Sequence, residues 1–240
     1  MIVVLAMAGR GSRFIGSGYD TPKPFIKIGE KHMFSLALEN IATLPITKLV
    51  IVTLAEHASK YDILKGVPQM LLNKTSIVTI PEVTEGQLCT VLAAKEHIFN
   101  DDSVLIVSSD TIVKSNIESE IKDMPNYCRG LISVADMPGE RWSFARTDND
   151  GKVIEVAEKI KISNHASTGL YFFSSGREFC NYGEEIINQK QKTKGEYYVI
   201  PVYTKYIENN AWIGLSKANE MYDLGTPESL KEYLSSQQIP

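Results

Sequence analysis

"MIVVLAMAGRGSRF", residues 1–14, opens the chain with an unbroken apolar run, then two glycines and an arginine. The run "IVVLA" (2–6) is apolar at successive positions, as a strand buried on both faces of a parallel sheet requires. Three more runs of this kind follow: "KLVIVTL" (48–54), "TSIVTI" (75–80) and "SVLIVSS" (103–109). Between them, residues 33–44, 58–72 and 86–99 carry apolar side chains at helical spacing. Strand and helix alternate, which is the βαβ pattern of a doubly wound sheet.

The second half changes character. "GLISVAD" (130–136), "WSFART" (142–147), "KVIEVAEK" (152–159) and "TGLYFFS" (168–174) read as strands, with "DNDG" (148–151) as a hairpin turn. Helices are expected over 176–189 and 197–209, a strand over 211–216 and a last helix from 226. No repeat or low-complexity tract interrupts the chain, so the β-rich part reads as an extension of the same domain. The expected fold is α/β: a Rossmann-like doubly wound mixed sheet with a β-rich extension, one domain over 1–240 with halves 1–125 and 126–240.

Composition narrows the partners. With 25 basic against 29 acidic side chains and a formal charge of -4, the chain offers no global attraction to nucleic acid or to an anionic membrane. Any phosphate must be gripped locally. Cys89, Cys128 and Cys180 are scattered and lack CxxC spacing, which argues against a disulfide framework and a zinc site. The N-terminal apolar run is too short for a signal peptide or a spanning helix, so the expectation is a soluble, cytoplasmic protein.

The glycines sit where ligands bind in open parallel sheets, at the carboxyl end of a strand. A dinucleotide fingerprint would need a third glycine where Arg13 and Phe14 stand, and Pro22 and Pro24 oppose an immediate helix. A Walker loop would need a GK[ST] ending, which is absent around Lys23. What remains is a long loop whose backbone N–H groups can face a triphosphate, with Arg13 and Lys23 as fixed cations.

The pattern G-x-G-x-R followed by PK resembles the signature of the sugar-1-phosphate nucleotidylyltransferase family. "VSSDTI" (107–112), "VAEK" (156–159), "STGLYFF" (167–173), "GEYYVIPVY" (195–203) and "YDLGTPESL" (222–230) are similar to further motifs of that family, in the right order. The resemblance implies its nucleotide-diphospho-sugar transferase fold and its reaction, in which a phosphate oxygen of the acceptor attacks the α-phosphorus of a nucleoside triphosphate and pyrophosphate leaves. It further implies catalytic roles for Arg13 and Lys23, and Mg²⁺ as cofactor held by Asp110 and Asp223. The base would rest on Met7, Ala8, Gly9 and Gly11 and on Gly86 and Gln87. The acceptor would meet Glu158, Lys159, Gly169 and Glu196. A homodimer is plausible for the family.

Each assignment has a plainer competitor. Gly9 and Gly11 could simply make a tight turn. Asp110 could cap a helix starting near Val113, and Asp223 or Thr226 the last helix. Lys159 could pair with Glu158, and since adjacent strand residues point to opposite faces, only one of the two is expected in the crevice. Glu196 in the first turn of a helix would favour the macrodipole. "EYYVIPVY" reads as core, and the four histidines form no metal-ligand pattern. The loop through "IGSGYDTPKPF" resembles a short subgroup met in capsule and surface-polysaccharide biosynthesis. It implies a cytidylyltransferase that uses CTP, with phosphoglutamine as an acceptor to test. A uridylyl- or guanylyltransferase acting on a hexose-1-phosphate is the alternative, and a non-catalytic nucleotide-sensing domain the second.

Overall fold

Along the described residues, 1–238 of the computed structural model, the elements are β1 (Ile2–Ala6), α1 (Ser12–Ile15), β2 (Lys27–Ile28), β3 (Lys31–His32), α2 (Met33–Glu39), β4 (Lys48–Leu54), α3 (Ala55–Lys60), β5 (Thr75–Ile80), α4 (Gln87–Leu92), α5 (Lys95–Ile98), β6 (Val104–Ser108), β7 (Thr111–Ser115), α6 (Ile117–Asp123), β8 (Cys128–Ala135), β9 (Ser143–Thr147), β10 (Val153–Glu158), β11 (Ala166–Phe173), α7 (Gly176–Asn188), α8 (Val202–Glu208), β12 (Trp212–Asp223) and α9 (Pro227–Ser236). The main sheet has the order β5-β4-β1-β6-β11-β8-β12-β7. β5, β4, β1 and β6 are parallel. β11 runs antiparallel to both β6 and β8, while β12 is parallel to β8 and antiparallel to β7. The β9–β10 hairpin joins through β11. The fold is mixed α/β with four parallel strands forming one side of the sheet, as the alternation of apolar runs and helical stretches predicts.

The parallel strands are apolar on both faces because each face carries a core. Ile2 and Val4 pack with Val50, Val52, Ile106 and the helix residues Leu88, Val91, Phe179 and Tyr203. Val3 and Leu5 pack on the other side with Leu49, Ile51, Leu105 and the helix residues Phe34, Ala37 and Leu38. Alternate side chains thus feed opposite cores. A third, smaller cluster joins Phe14, Ile26, Ile112, Leu224 and Leu230. Phe14 and Ile26 bracket the long glycine loop, while Ile112 and Leu224 lie close in sequence to Asp110 and Asp223. Burying Phe14 alone is worth about 1.5–3 kcal/mol, enough to fix the loop's path over the sheet.

Several elements differ from expectation. Residues 58–72 do not form one helix. α3 ends at Lys60, and two 3₁₀ segments, Ile63–Gly66 and Gln69–Lys74, follow on either side of Pro68, a residue that cannot sit inside a helix without breaking it. The stretch 86–99 splits into α4 and α5. One turn of helix, α1, does follow the glycines. It ends at Gly16, well before the prolines, which shape a 3₁₀ turn at Lys23–Phe25 instead. β7 occupies Thr111–Ser115, so Asp110 caps no helix near Val113. β12 runs on to Asp223, seven residues past its expected end at 216. The helix expected over 197–209 begins only at Val202, which removes Glu196 from any helical first turn. Thr226 does cap α9, through a reciprocal pair with Ser229.

Candidate active site

The carboxyl ends of β1, β6, β10 and β12 and the amino-terminal part of β11 open onto one cleft of about 810 Å³. All the residues singled out in the sequence line it, from Met7, Ala8, Gly9, Gly11, Arg13 and Lys23 to Gly86, Gln87, Asp110, Glu158, Lys159, Gly169, Glu196 and Asp223. At the glycine-loop end, Met7 N–H is anchored to Val52 O at 2.9 Å, so the chain leaves β1 in register with the sheet. Gly11 then adopts φ 61°, and a Cβ there would lie 3.2 Å from the Cβ of Lys23. The left-handed turn folds the loop back on itself and lets Lys23 pass close by. Gly86 is held harder still. At φ +144° its backbone lies against that of Tyr197, where a Cβ would approach Tyr197 O to 2.3 Å. Gln87 Nε2 reaches Ser108 Oγ at 3.1 Å.

Lys23 Nζ donates to Asp110 Oδ2 at 2.5 Å, both side chains being about a quarter exposed. Burial works to raise the Asp110 carboxyl, but the Lys23 ammonium, helped by Arg13, holds it below the usual aspartate range. Asp110 O also accepts from Leu224 N–H at 2.8 Å, which ties the turn after β6 to the end of β12. Asp223, at that end, accepts from Gly225 N–H at 3.0 Å through Oδ1 and from Arg141 Nη2 at 2.7 Å through Oδ2. A Cβ on Gly225 would lie 2.8 Å from Asp223 Oδ1 and 3.1 Å from Asp110 Oδ2, so both carboxylates flank one small volume that only a glycine leaves open. Among the described residues no group of three or more His, Cys, Asp or Glu converges. Two carboxylates at the wall of the cleft fit Mg²⁺, which takes few protein oxygens and completes its shell with water and substrate phosphates.

At the β-rich end, β10 stops at Glu158 and Lys159 takes φ 58°. The expectation that only one of these two residues reaches the crevice is thereby overturned. The strand's alternation ends one residue early, and the left-handed turn brings both to the cleft. Lys159 Nζ donates to the Tyr198 hydroxyl and lies 3.9 Å from Glu158 Oε1. Glu158 is buried and accepts from the Ser143 hydroxyl, and burial still pushes its carboxyl above the ordinary glutamate value. Gly169, φ 85°, sits at a register shift in β11, with Ser108 Oγ 2.6 Å from where its Cβ would be, so the strand can pass the end of β6. Glu196 belongs to a tight turn closed by Thr193, and its carboxylate is one cause of the raised Tyr198 hydroxyl, after burial.

Arg141, Ser143 and Tyr198 also line the cleft without having been singled out. The stretch "EYYVIPVY" splits: Tyr197 and Tyr203 are core, while Tyr198 faces the cleft. No sequence signal separates two adjacent tyrosines in an irregular segment. Arg141 is different, since an arginine beside a tryptophan at the mouth of a predicted strand could have been marked. The three cysteines are free, and no described helix is long and apolar enough to cross a membrane.

The chain is 22% identical to the bifunctional protein GlmU of Methanocaldococcus jannaschii over 235 residues, and 25% identical to that of Methanococcus maripaludis over 232. These alignments take in 97% and 95% of this chain but 53% and 52% of the relatives, so the chain spans about half the length of the curated proteins it matches. Among solved structures it resembles the nucleoside-diphosphate-sugar pyrophosphorylase of Vibrio cholerae RC9, with a TM-score of 0.83 at 25% identity over 97% of this chain and 99% of that one. The fold also matches a UDP-glucose pyrophosphorylase complexed with UDP-glucose, with a TM-score of 0.80 at 17% identity over 99% and 98% of the two chains. The model of the nucleotidyl transferase family matches residues 2–238, and the chain belongs to that family.

Proposed function

We propose that the protein transfers a nucleotidyl group from a nucleoside triphosphate to a phosphorylated acceptor, releasing pyrophosphate, and that residues 1–240 act as one unit, with 1–125 holding the nucleotide and 126–240 the acceptor. One observation carries this reading: Asp110, in the turn after β6, and Asp223, at the end of β12, meet at Gly225 beside Lys23, in a cleft that also presents Lys159, Glu158 and Glu196. In-line displacement at phosphorus is mostly positioning and charge stabilisation, and cations at one end with a separate ammonium at the other suit it.

Backbone groups of Met7–Gly11 and of Gly86 would hold base and phosphates, with Arg13 against the departing pyrophosphate and Lys23 against the α-phosphoryl charge. Asp110 and Asp223 would hold Mg²⁺, which when bound neutralises charge on the α-phosphoryl and orients the incoming oxygen. Lys159 would grip the acceptor's phosphate. Glu158 and Glu196 would accept from its hydroxyl or amino groups, and Gly169 gives close backbone access. Two carboxylates beside one ammonium suit an acceptor with donor groups, phosphoglutamine among them. The resemblance of the loop IGSGYDTPKPF, residues 15–25, favours CTP and a role in capsule precursor synthesis.

Pyrophosphate release with Mg²⁺ and each of CTP, UTP, GTP, ATP and dTTP, against glucose-1-phosphate, mannose-1-phosphate, phosphocholine and phosphoglutamine, tests the reading. A CTP-dependent signal with phosphoglutamine is the expected result, lost with chelator and restored by Mg²⁺. A signal with UTP or GTP and a hexose-1-phosphate would replace the cytidylyl reading. Silence with every pair while nucleotide still binds would overturn transferase activity on these acceptors in favour of a nucleotide sensor.

A further inference from the structure

Each carboxylate proposed to hold the metal carries a cation of the protein's own, and the two cations differ in kind. Lys23, on Asp110, belongs to the glycine loop. Arg141, on Asp223, belongs to the connection between β8 and β9. Its guanidinium caps the carboxylate from the solvent side, Arg141 being 46% exposed and Asp223 only 11%. Arg141 also stacks on Trp142, 4.4 Å from the ring centroid, and the Trp142 indole donates to Pro138 O at 2.9 Å. Gly139 in this connection has φ 84°, with no atom within 4 Å of where a Cβ would be. The Arg141–Asp223 pair stands between the main cleft and a second cavity of about 300 Å³ lined by Met137, Tyr222 and Tyr233.

We propose that Arg141 is a latch on Asp223, which a divalent cation must displace before the cleft is competent. The proposal rests on the reading of Asp223 as a metal ligand. Oδ1 accepts from Gly225 N–H and Oδ2 from Arg141, and although each oxygen keeps a further lone pair, a divalent cation at Oδ2 would sit against the positive guanidinium, so ligation works against the ion pair. Lys23 and Arg141 together offset the charge of the two carboxylates. Displacement frees a guanidinium at the wall between the two cavities, where it can turn to a phosphate. Arg141 is thus a positioning residue that acts through Asp223.

Binding of Mn²⁺ alone to the full chain, followed by electron paramagnetic resonance, tests the latch without reference to turnover. Arg141→Ala should tighten Mn²⁺ about fivefold, the factor equivalent to the roughly 1 kcal/mol upper value of an exposed ion pair. Asp223→Asn should weaken it. The chain has two tryptophans, so Trp212→Phe leaves Trp142 as reporter. Mg²⁺ should change Trp142 emission in that background and leave it unchanged once Arg141→Ala is added. Unaltered or weaker Mn²⁺ binding in Arg141→Ala, with Asp223→Asn still impaired, overturns the latch and spares the metal site. Wild-type binding in Asp223→Asn overturns both. Tighter binding with silent Trp142 emission means that Arg141 repels the ion without being displaced, and that too overturns the latch.

Discussion

The two ends of the cleft are built on different principles. At the glycine-loop end, Asp110 and the loop 7–11 leave parallel strands buried on both faces, and Phe14 and Ile26 pin the long loop into a small core of its own. At the β-rich end, Glu158 and Lys159 sit where a strand breaks into a left-handed turn, Gly169 at a register shift, and Glu196 and Tyr198 in a tight turn and the irregular segment after it. The groups proposed for the chemistry sit on turns and a loop anchored by buried packing, and those proposed to choose the acceptor sit where strands are broken or shifted in register. Such a division lets the acceptor change without moving the phosphates, since loops and turns vary at less cost than segments anchored by buried packing do.

The strongest break of that division is Lys23→Ala. Losing a cation aimed at transition-state charge should lower kcat for pyrophosphate release about 10²–10³-fold, with the nucleotide KM changed far less. Retained turnover would remove Lys23 from the mechanism and make the Lys23–Asp110 pair a structural contact. Next in size is Gly86→Ala, which strikes the seam between the two ends, since Gly86 packs on the Tyr197 backbone and Leu88 N–H donates to Tyr197 O at 3.0 Å. Strain at φ +144° together with overpacking against rigid backbone should cost about 2–4 kcal/mol, a fall in Tm on the order of 10 °C. Unchanged thermal unfolding would show that the seam gives way easily.

Lys159 separates strain from function. Lys159→Ala and Lys159→Gly should both raise the acceptor KM about tenfold while sparing the nucleotide KM, the loss of one charged hydrogen bond. Only Lys159→Gly relieves the left-handed backbone, by about 1 kcal/mol, so it should unfold at the higher temperature of the two. Equal Tm values would mean that the turn carries no strain, and a larger effect on the nucleotide KM would misplace the lysine.

Legibility followed the same division. β1, β4 and β5 begin and end where the apolar runs do, because burial on both faces leaves a continuous hydrophobic signal. The loop glycines and Asp110 were marked by their position after such strands, and they, Lys23 and Asp223 by motif resemblance. Periodicity misled at 58–72, where apolar spacing persists through 3₁₀ turns around Pro68. At the β-rich end, alternation put Glu158 and Lys159 on opposite faces, because a single left-handed residue is invisible when it is not glycine. Arg141 and Tyr198 owe their places to contacts across 82 and 39 residues, with Asp223 and Lys159, which no local pattern encodes.

The smallest predicted effect contrasts the ends through their carboxylates. Asp110, held low by Lys23 against the opposing pull of burial, contributes stability that is present above the unfolded aspartate value and is lost as pH falls through its lower folded value. Glu158 runs the other way. Burial raises it despite the Ser143 hydrogen bond and the nearby Lys159. Between the ordinary glutamate value and this higher one, the folded chain binds more protons than the unfolded chain, so stability falls as pH rises. Glu158→Gln keeps an acceptor for the Ser143 hydroxyl and removes the titration. Denaturant unfolding across that window should therefore give the variant a flatter dependence on pH than the parent, with the parent losing stability toward neutral pH relative to the variant. Parallel curves would show that Lys159 and Ser143 fully offset the burial of Glu158, which would make the β-rich end as well balanced in charge as the Lys23–Asp110 end and leave backbone geometry as the difference between them.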